Sequence, residues 1–315
     1  MTAKRDFLTL ADVPAEAWPA LWDRTWELER DRDHAHADRV RPFDRKTLAL
    51  VFEKASTRTR VSFEVAATEL GGASSYLSSD GSQLGRGEPV ADTARVLASY
   101  CHAIVVRTFA QARVADFARH AAVPVINGLS DQHHPCQVAT DLYTVRRHFG
   151  DLAGRTYAWI GDGNNMANSW IEAAGMFGLD LRLACPDGYL PDAGILQTAR
   201  TAQRALGRGS ITLTTEPREA AAGAHVISTD VWASMGQEAE AARRRAAFAG
   251  YCVDAALLAH AAPDGIVLHC LPAHRGEEIT GDVLDGPRSL AWVQAANRLH
   301  VAKAVLEWVM QPRAA

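Results

Sequence analysis

Short runs of apolar and β-branched residues, each closed by polar, glycine or proline residues, alternate along the chain with longer stretches whose apolar positions recur at helical spacing. The runs at 47–52, 74–78, 103–106 and 124–127 predict one series of strands, and those at 156–161, 180–185, 211–214, 224–229 and 265–269 predict a second. Strands separated by helical segments cross over into parallel sheets with helices on both faces. The expected fold is therefore α/β, with two doubly wound parallel-sheet domains. Between the two series, 136–149 reads as one helix ended by Gly150, with Gly154 beyond it, leading into a domain crossing. This places the first domain at 1–150 and the second at 151–293, while an amphipathic helix at about 294–309, within the segment 294–315, packs back on the first domain.

Trp18, Trp22 and Trp26, spaced i, i+4, i+8, share one helix face and read as core packing rather than as a cofactor box. The run Arg243-Arg244-Arg245 reads as a solvated helix face, because its acidic neighbours break any basic track. A length of 315 residues suits about two domains of ~100–200 residues. With 48% apolar and 22% charged residues the chain is globular, and 33 Lys plus Arg against 37 Asp plus Glu leave no basic field for a nucleic-acid backbone. The expected partners are small molecules and further copies of the chain. Five cysteines, at 101, 136, 185, 252 and 270, form no C-x-x-C and no clustered Cys/His spacing, so a reducing compartment and no metal are expected. No secretory run and no stretch of ~20 apolar residues is present, which makes a membrane association unexpected and a cytoplasmic location the expectation.

The first motif with chemistry is Ser56-Thr57-Arg58-Thr59-Arg60, between a strand and a helix beginning near Arg58. Such a turn presents free backbone N–H groups and the positive end of the helix dipole to an anion, and guanidinium forks and hydroxyls add donors. A plain helix cap needs far fewer. His134-Pro135-Cys136-Gln137 precedes a second helix, where His134 and Gln137, three apart, can address one ligand. Taken alone, it is a weak signal that better suits a helix-start histidine satisfied by backbone. Gly161-Asp162-Gly163-Asn164-Asn165 follows a strand as in a dinucleotide fold, but Met166 stands where the third glycine belongs, which disfavours a nicotinamide cofactor. Asp230, after another strand, is either a helix cap or an acidic group at the same sheet edge. In His269-Cys270-Leu271-Pro272 the cysteine lacks any protease context, and the Leu271-Pro272 bond is a candidate for the cis form.

Taken together, S-T-R-T-R at 56–60, H-P-C-Q at 134–137, D-x-x-x-S-M-G at 230–236 and H-C-L-P at 269–272 resemble the aspartate/ornithine carbamoyltransferase family, specifically its ornithine-using members, over about residues 45–309. The first two motifs are shared with the aspartate-using relatives, and the last two point to ornithine. The resemblance implies transfer of the carbamoyl group of carbamoyl phosphate to the δ-amine of L-ornithine, giving citrulline and phosphate in arginine biosynthesis, with no cofactor. It implies that Ser56, Thr57, Arg58 and Thr59 hold the phosphate, that Arg107 bridges phosphate and carbonyl oxygen, and that His134 donates to that oxygen. Gln137 would fix the carbamoyl NH2 group, and Arg298 would stand at the same end. The loop 80–85 would reach a neighbouring subunit's site through Gln83, which implies a homotrimer. Asn165, Asp230, Ser234 and Met235 would bind ornithine, with Cys270 and Leu271 beside the reacting atoms. The implied catalytic set is Arg107, His134, Asp230 and Cys270. One departure stands out: the family commonly reads Glu-Ala-Glu-Asn-Arg where this chain has Gln294-Ala295-Ala296-Asn297-Arg298.

Three other readings remain at this level. One is a carbamoyltransferase using putrescine, N-acetylornithine or aspartate, and another is a catalytically silent carbamoyl phosphate-binding subunit. The third, a Rossmann-type dehydrogenase, rests on the fold alone.

Overall fold

The computed structural model describes residues 4–33, 41–78, 81–233 and 240–311. They form two compact units, one of residues 1–140 with 296–315 and the other of residues 141–295. The chain leaves the first unit within the helix Pro135–Phe149 and re-enters it within the last helix, Ala291–Met310.

The first unit is built on four parallel strands, β1 (Thr47–Phe52), β2 (Ala73–Ser78), β3 (Ala103–Arg107) and β4 (Val125–Leu129), in the order β2-β1-β3-β4. β1 and β3 are central, so both faces are covered and their sequences, TLALVF and AIVVR, are nearly unbroken apolar runs. β2, at the edge, reads ASSYLS and stays half-exposed. Ile104, Val106, Phe117 and Val125 make one core with Leu84, Ala94 and Leu97.

The N-terminal helix Trp18–Asp33 carries the tryptophan stripe. Trp18 and Trp22 are buried, with ring centroids 5.5 Å apart, but Trp26 is 37% exposed and lies under the Arg30 guanidinium. The stripe reading fails at Trp26 for a geometric reason. Four residues exceed a 3.6-residue turn, so two such steps carry the third ring toward the edge of the apolar face.

In the second unit, β5 (Thr156–Ile160), β6 (Asp180–Ala184), β7 (Ser210–Thr214), β8 (Val226–Thr229) and β9 (Ile266–His269) form a parallel sheet in the order β7-β6-β5-β8-β9. Phe248, fully buried, packs among Tyr189, Trp232 and Tyr251 at centroid distances of 4.9, 5.7 and 5.8 Å. Here the structure corrects the reading of the arginine run. Arg243 and Arg245 on the helix Ala241–Ala247 are exposed, but Arg244 is buried and ion-paired with Asp162, a partner that spacing along the sequence does not reveal.

Both sheets are doubly wound, so each has a point where the strand order reverses, between β1 and β3 in the first and between β5 and β8 in the second. Ligands of open α/β sheets bind outside the carboxyl ends of the strands at that point.

Candidate active site

In the first unit the reversal brings together the turn after β1 and the end of β3. Ser56 caps the helix Thr57–Glu69, its side chain accepting from the Thr59 N–H at 3.2 Å. Thr57 is exposed, Arg58 is half-buried and Thr59 is buried. Arg60 turns elsewhere: it pairs with Glu64 at 2.9 Å and covers the Tyr76 ring at 3.7 Å. Arg107 ends β3 where the pairing with β4 shifts register, and its carbonyl accepts from the Glu53 N–H at 2.8 Å. Around it, Glu53 takes Arg113 at 2.6 Å and the Thr108 hydroxyl, fixing the two strand ends to each other.

His134 stands at the start of the helix Pro135–Phe149, where proline's missing N–H costs nothing. The Ser130 hydroxyl accepts from the His133 N–H at 3.0 Å, and the His134 carbonyl accepts from the N–H groups of Gln137 and Val138 at 3.1 and 3.2 Å. Burial, followed by the positive charges of Arg298, Arg107 and Arg58, holds the His134 imidazole well below its ordinary pKa. A ring so placed is neutral at pH 7 and offers one N–H donor. Gln137, buried, accepts from Arg298 Nη1, while Arg298 Nη2 donates to the Thr59 hydroxyl at 2.8 Å. Thus Ser56, Arg58, Thr59, Arg107, His134, Gln137 and Arg298, scattered over nearly the whole sequence, belong to one basic cluster. Cys136, between His134 and Gln137, turns inward, its thiol donating to the Asn127 carbonyl at 3.3 Å and pushed up to about 12 by burial. Gln83 stands apart, exposed on the short turn Gln83–Arg86 that buried Leu84 anchors.

The second unit assembles an acidic counterpart from the ends of β5, β8 and β9. Asp230, 8% exposed, accepts from the Cys270 thiol at 2.9 Å and the Val231 N–H at 2.8 Å through Oδ1, and from the Asn164 amide at 3.0 Å through Oδ2. Asn164 also caps the helix Asn165–Phe177, accepting from the N–H groups of Met166 and Ala167. The turn residue that holds Asp230 is therefore one that sequence reasoning passed over in favour of Asn165, which begins the helix. Gly163 is required here, because a Cβ would lie 2.2 Å from the Pro191 nitrogen. The chain's own segment 189–191 thus occupies the space above this turn. Ser234 and Met235 lie outside the described residues.

Cys270 and Leu271 are carried by a buried polar scaffold. His269 Nδ1 accepts from the Leu271 N–H at 2.9 Å, which leaves its proton on Nε2, facing Glu278 Oε1 at 3.1 Å. The same Glu278 oxygen accepts from the His274 N–H at 2.6 Å. Gln294 accepts from the His269 N–H at 2.9 Å and donates to Asp141 at 2.6 Å. The Leu271-Pro272 bond is cis and Leu271 has φ 58°. Glu278, wholly buried, carried no sequence signal beyond its polarity; Gln294 was visible only as a departure from a motif.

Two family models match the chain: aspartate/ornithine carbamoyltransferase, carbamoyl-P binding domain, over residues 5–147, and aspartate/ornithine carbamoyltransferase, Asp/Orn binding domain, over residues 153–309. The chain belongs to the aspartate/ornithine carbamoyltransferase family. Among its carbamoyltransferase relatives, the ornithine carbamoyltransferase of Geobacter metallireducens is 53% identical over 302 residues, covering 96% of this chain and 98% of that protein. The anabolic ornithine carbamoyltransferase of Pseudomonas aeruginosa is 51% identical, covering 98% and 97%. The solved ornithine carbamoyltransferase of Pyrococcus furiosus superposes with a TM-score of 0.91 at 46% identity, covering 97% of each chain. No helix among the described residues of this carbamoyltransferase is long and apolar enough to cross a membrane.

Proposed function

We propose that the chain transfers the carbamoyl group of carbamoyl phosphate to the δ-amine of L-ornithine, forming L-citrulline and phosphate, in the direction of arginine biosynthesis. The observation that carries the reading is the division of labour between the two clusters. One converges arginines on a neutral imidazole, and the other presents a carboxylate, Asp230, held by a thiol and an amide. A phosphate-bearing substrate matches the first and an ammonium-bearing substrate the second. The names of the relatives support the same pair of substrates, and the Pseudomonas aeruginosa relative's name supports the anabolic direction.

In this reading the first unit is the carbamoyl phosphate-binding domain and the second the ornithine-binding domain. Ser56, Thr57, Arg58 and Thr59 receive the phosphate with the N–H groups of the helix start. Arg107 and His134 donate to the carbonyl oxygen, and the negative charge that develops there on attack is stabilised without proton transfer from His134. Arg298 occupies one lone pair of the Gln137 amide oxygen, leaving the other to accept from the carbamoyl NH2. Asn165, Asp230, Ser234 and Met235 bind the amino-acid end of ornithine, and Cys270 with Leu271 lies beside the reacting atoms. Gln83 serves a neighbouring subunit in a homotrimer, and its exposure agrees with such a role.

The nucleophile must be the neutral amine. With a pKa of ~10.4 its deprotonation at pH 7 costs about 4.6 kcal/mol, from ~3.4 units at ~1.36 kcal/mol each, which desolvation beside the arginines lowers. The amine nitrogen then bonds to the carbonyl carbon, the C–O bond to phosphate breaks, and the amine's proton goes to the departing phosphate, which leaves as hydrogen phosphate. Carbamoyl phosphate already carries a good leaving group, so no covalent intermediate is needed and Cys270 orients rather than attacks.

The test is product formation from carbamoyl phosphate with ornithine, aspartate, putrescine and N-acetylornithine in parallel. Citrulline from ornithine alone is expected. Turnover with another amine instead refutes the substrate assignment, and binding of carbamoyl phosphate without product refutes the activity.

A further inference from the structure

Of the three arginines at 243–245, the middle one is buried, and its contacts are aimed at the acidic rim described above. Arg244 Nη1 donates to Asp162 Oδ2 and to the Trp232 carbonyl, both at 2.8 Å. Its guanidinium lies over the Tyr189 ring at 4.9 Å. Asp162 sits in the turn after β5 and Asp230 directly after β8, its neighbour in the sheet. Among the described residues, the rim thus carries the carboxylates Asp162 and Asp230 beside Arg244, and that arginine pairs with Asp162. Among the described residues no lysine or arginine forms an ion pair with Asp230.

We propose that Arg244 is a positioning residue for the amine substrate: by closing Asp162 into an ion pair and fixing the Trp232 carbonyl, it leaves Asp230 as the carboxylate presented to the substrate ammonium. The inference rests on the ornithine reading given above. A buried ion pair is a poor way to gain stability, since its desolvation cost rivals its attraction, whereas it sets local charge and backbone geometry well. Without Arg244, Asp162 becomes either a second anion competing for the ammonium or a protonated group that no longer fixes the turn.

The groups facing Asp162 are Arg244 from its helix, Asp230 from the end of β8 and the Cys185 thiol beyond β6, and Glu240 faces Arg244 at 3.5 Å. Burial already raises the Asp162 carboxyl above its ordinary value, with Asp230 adding to the rise and Arg244 opposing it. Removing the arginine moves that titration further toward neutral pH.

The experiment measures kcat and both KM values of the full-length protein between pH 5.5 and 8.5 for the parent, Arg244→Gln, Arg244→Lys, Asp162→Asn and the double variant Arg244→Gln with Asp162→Asn. For Arg244→Gln the expected result is a KM for ornithine raised at least about tenfold and newly pH-dependent, with the KM for carbamoyl phosphate within about twofold of the parent. Arg244→Lys, which keeps the charge, restores part of the loss, and the double variant removes the added pH dependence. An equal change in both KM values, or an ornithine KM that stays at the parent value, overturns the inference. Should Arg244→Gln not fold, Asp162→Asn decides alone, because it removes the carboxylate closest to the Arg244 cation and leaves it, among the described residues, only Glu240 at 3.5 Å. A selective rise in ornithine KM then upholds the inference and an unchanged one overturns it. A parent that forms no citrulline refutes the functional reading and this inference with it, whereas an active parent with unselective variants refutes the inference alone.

Discussion

Gln294→Glu offers a sharp test, because it changes one atom type and returns position 294 to the glutamate of the family motif. The Gln294 amide nitrogen lies 2.6 Å from Asp141 Oδ1, and its oxygen accepts from the His269 N–H. A glutamate keeps the second bond but sets a carboxyl oxygen against a carboxylate. Two full charges ~3 Å apart repel by about 5.5 kcal/mol at an effective dielectric of ~20. Retaining one shared proton at pH 7 instead costs about 3.7 kcal/mol, from ~2.7 units above a glutamate pKa of ~4.3 at ~1.36 kcal/mol each. The cheaper course wins, so the folded variant holds one proton more than the unfolded chain from about pH 4.3 to about pH 8.3, where the two costs cross. With more protons bound in the folded state, stability falls as pH rises, by ~1.36 kcal/mol per unit. Urea midpoints at pH 5, 6, 7 and 8 should therefore show a deficit against the parent of about 1 kcal/mol at pH 5 growing to about 3.7 at pH 7. A deficit that does not change with pH would show that position 294 does not share a proton with Asp141 and would refute the account of the Gln294 bridge.

His134 has the opposite sign. Its folded pKa lies below ~6.5, so stability is lost as pH falls beneath that value, and His134→Gln should show a shallower loss in urea midpoint between pH 6.5 and 5 than the parent, whose full slope is up to ~1.36 kcal/mol per unit for this group. Phe248→Ala empties a site ringed by Tyr189, Trp232 and Tyr251, and a loss of about 3–5 kcal/mol in chemical denaturation is expected. Asp230→Asn removes the charge offered to the amine while keeping the size; it should raise the KM for ornithine at least about tenfold and leave carbamoyl phosphate binding, followed by calorimetry, unchanged. Cys136, buried and raised to about 12, should resist maleimide at pH 8 in the folded protein and react once it is unfolded, as mass spectrometry of the labelled peptide reports.

What could be read from sequence divides along a physical line. β1 was predicted at its observed bounds and β3 within one residue, because a central parallel strand is buried on both faces and its apolar run stops where the strand does. β2 and β4 were displaced by one or two residues at their ends, where polar residues or Gly128 interrupt the pattern. The chemical motifs were legible for a related reason: in a parallel sheet, function collects at strand ends, so Arg107 ends β3, Asp230 and Cys270 directly follow β8 and β9, and Ser56 to Thr59 begin four residues after β1. Arg244 was not legible, since its meaning depends on Asp162, 82 positions earlier, and local charge pattern alone makes it a surface residue. Asn164 and Asn165 are alike in sequence, and only the direction of the helix start separates their roles. Glu278 and Gln294 act through His269, one step behind the motif, where no spacing rule reaches.

The path of the final helix also dictates an order of assembly. Arg298, which ties Thr59 to Gln137, lies in the last helix, and so does Lys303, which is buried against the Leu28 carbonyl and Glu69. During synthesis, residues 1–140 leave the ribosome without these two cations, and the whole of 141–295 must follow before they arrive. The later-made unit is an insertion within the earlier one and has all its strands in hand before the earlier unit receives its last helix. A truncated chain ending at residue 295 and released from the ribosome should accordingly hold a protease-resistant second unit beside a first unit still open to cleavage.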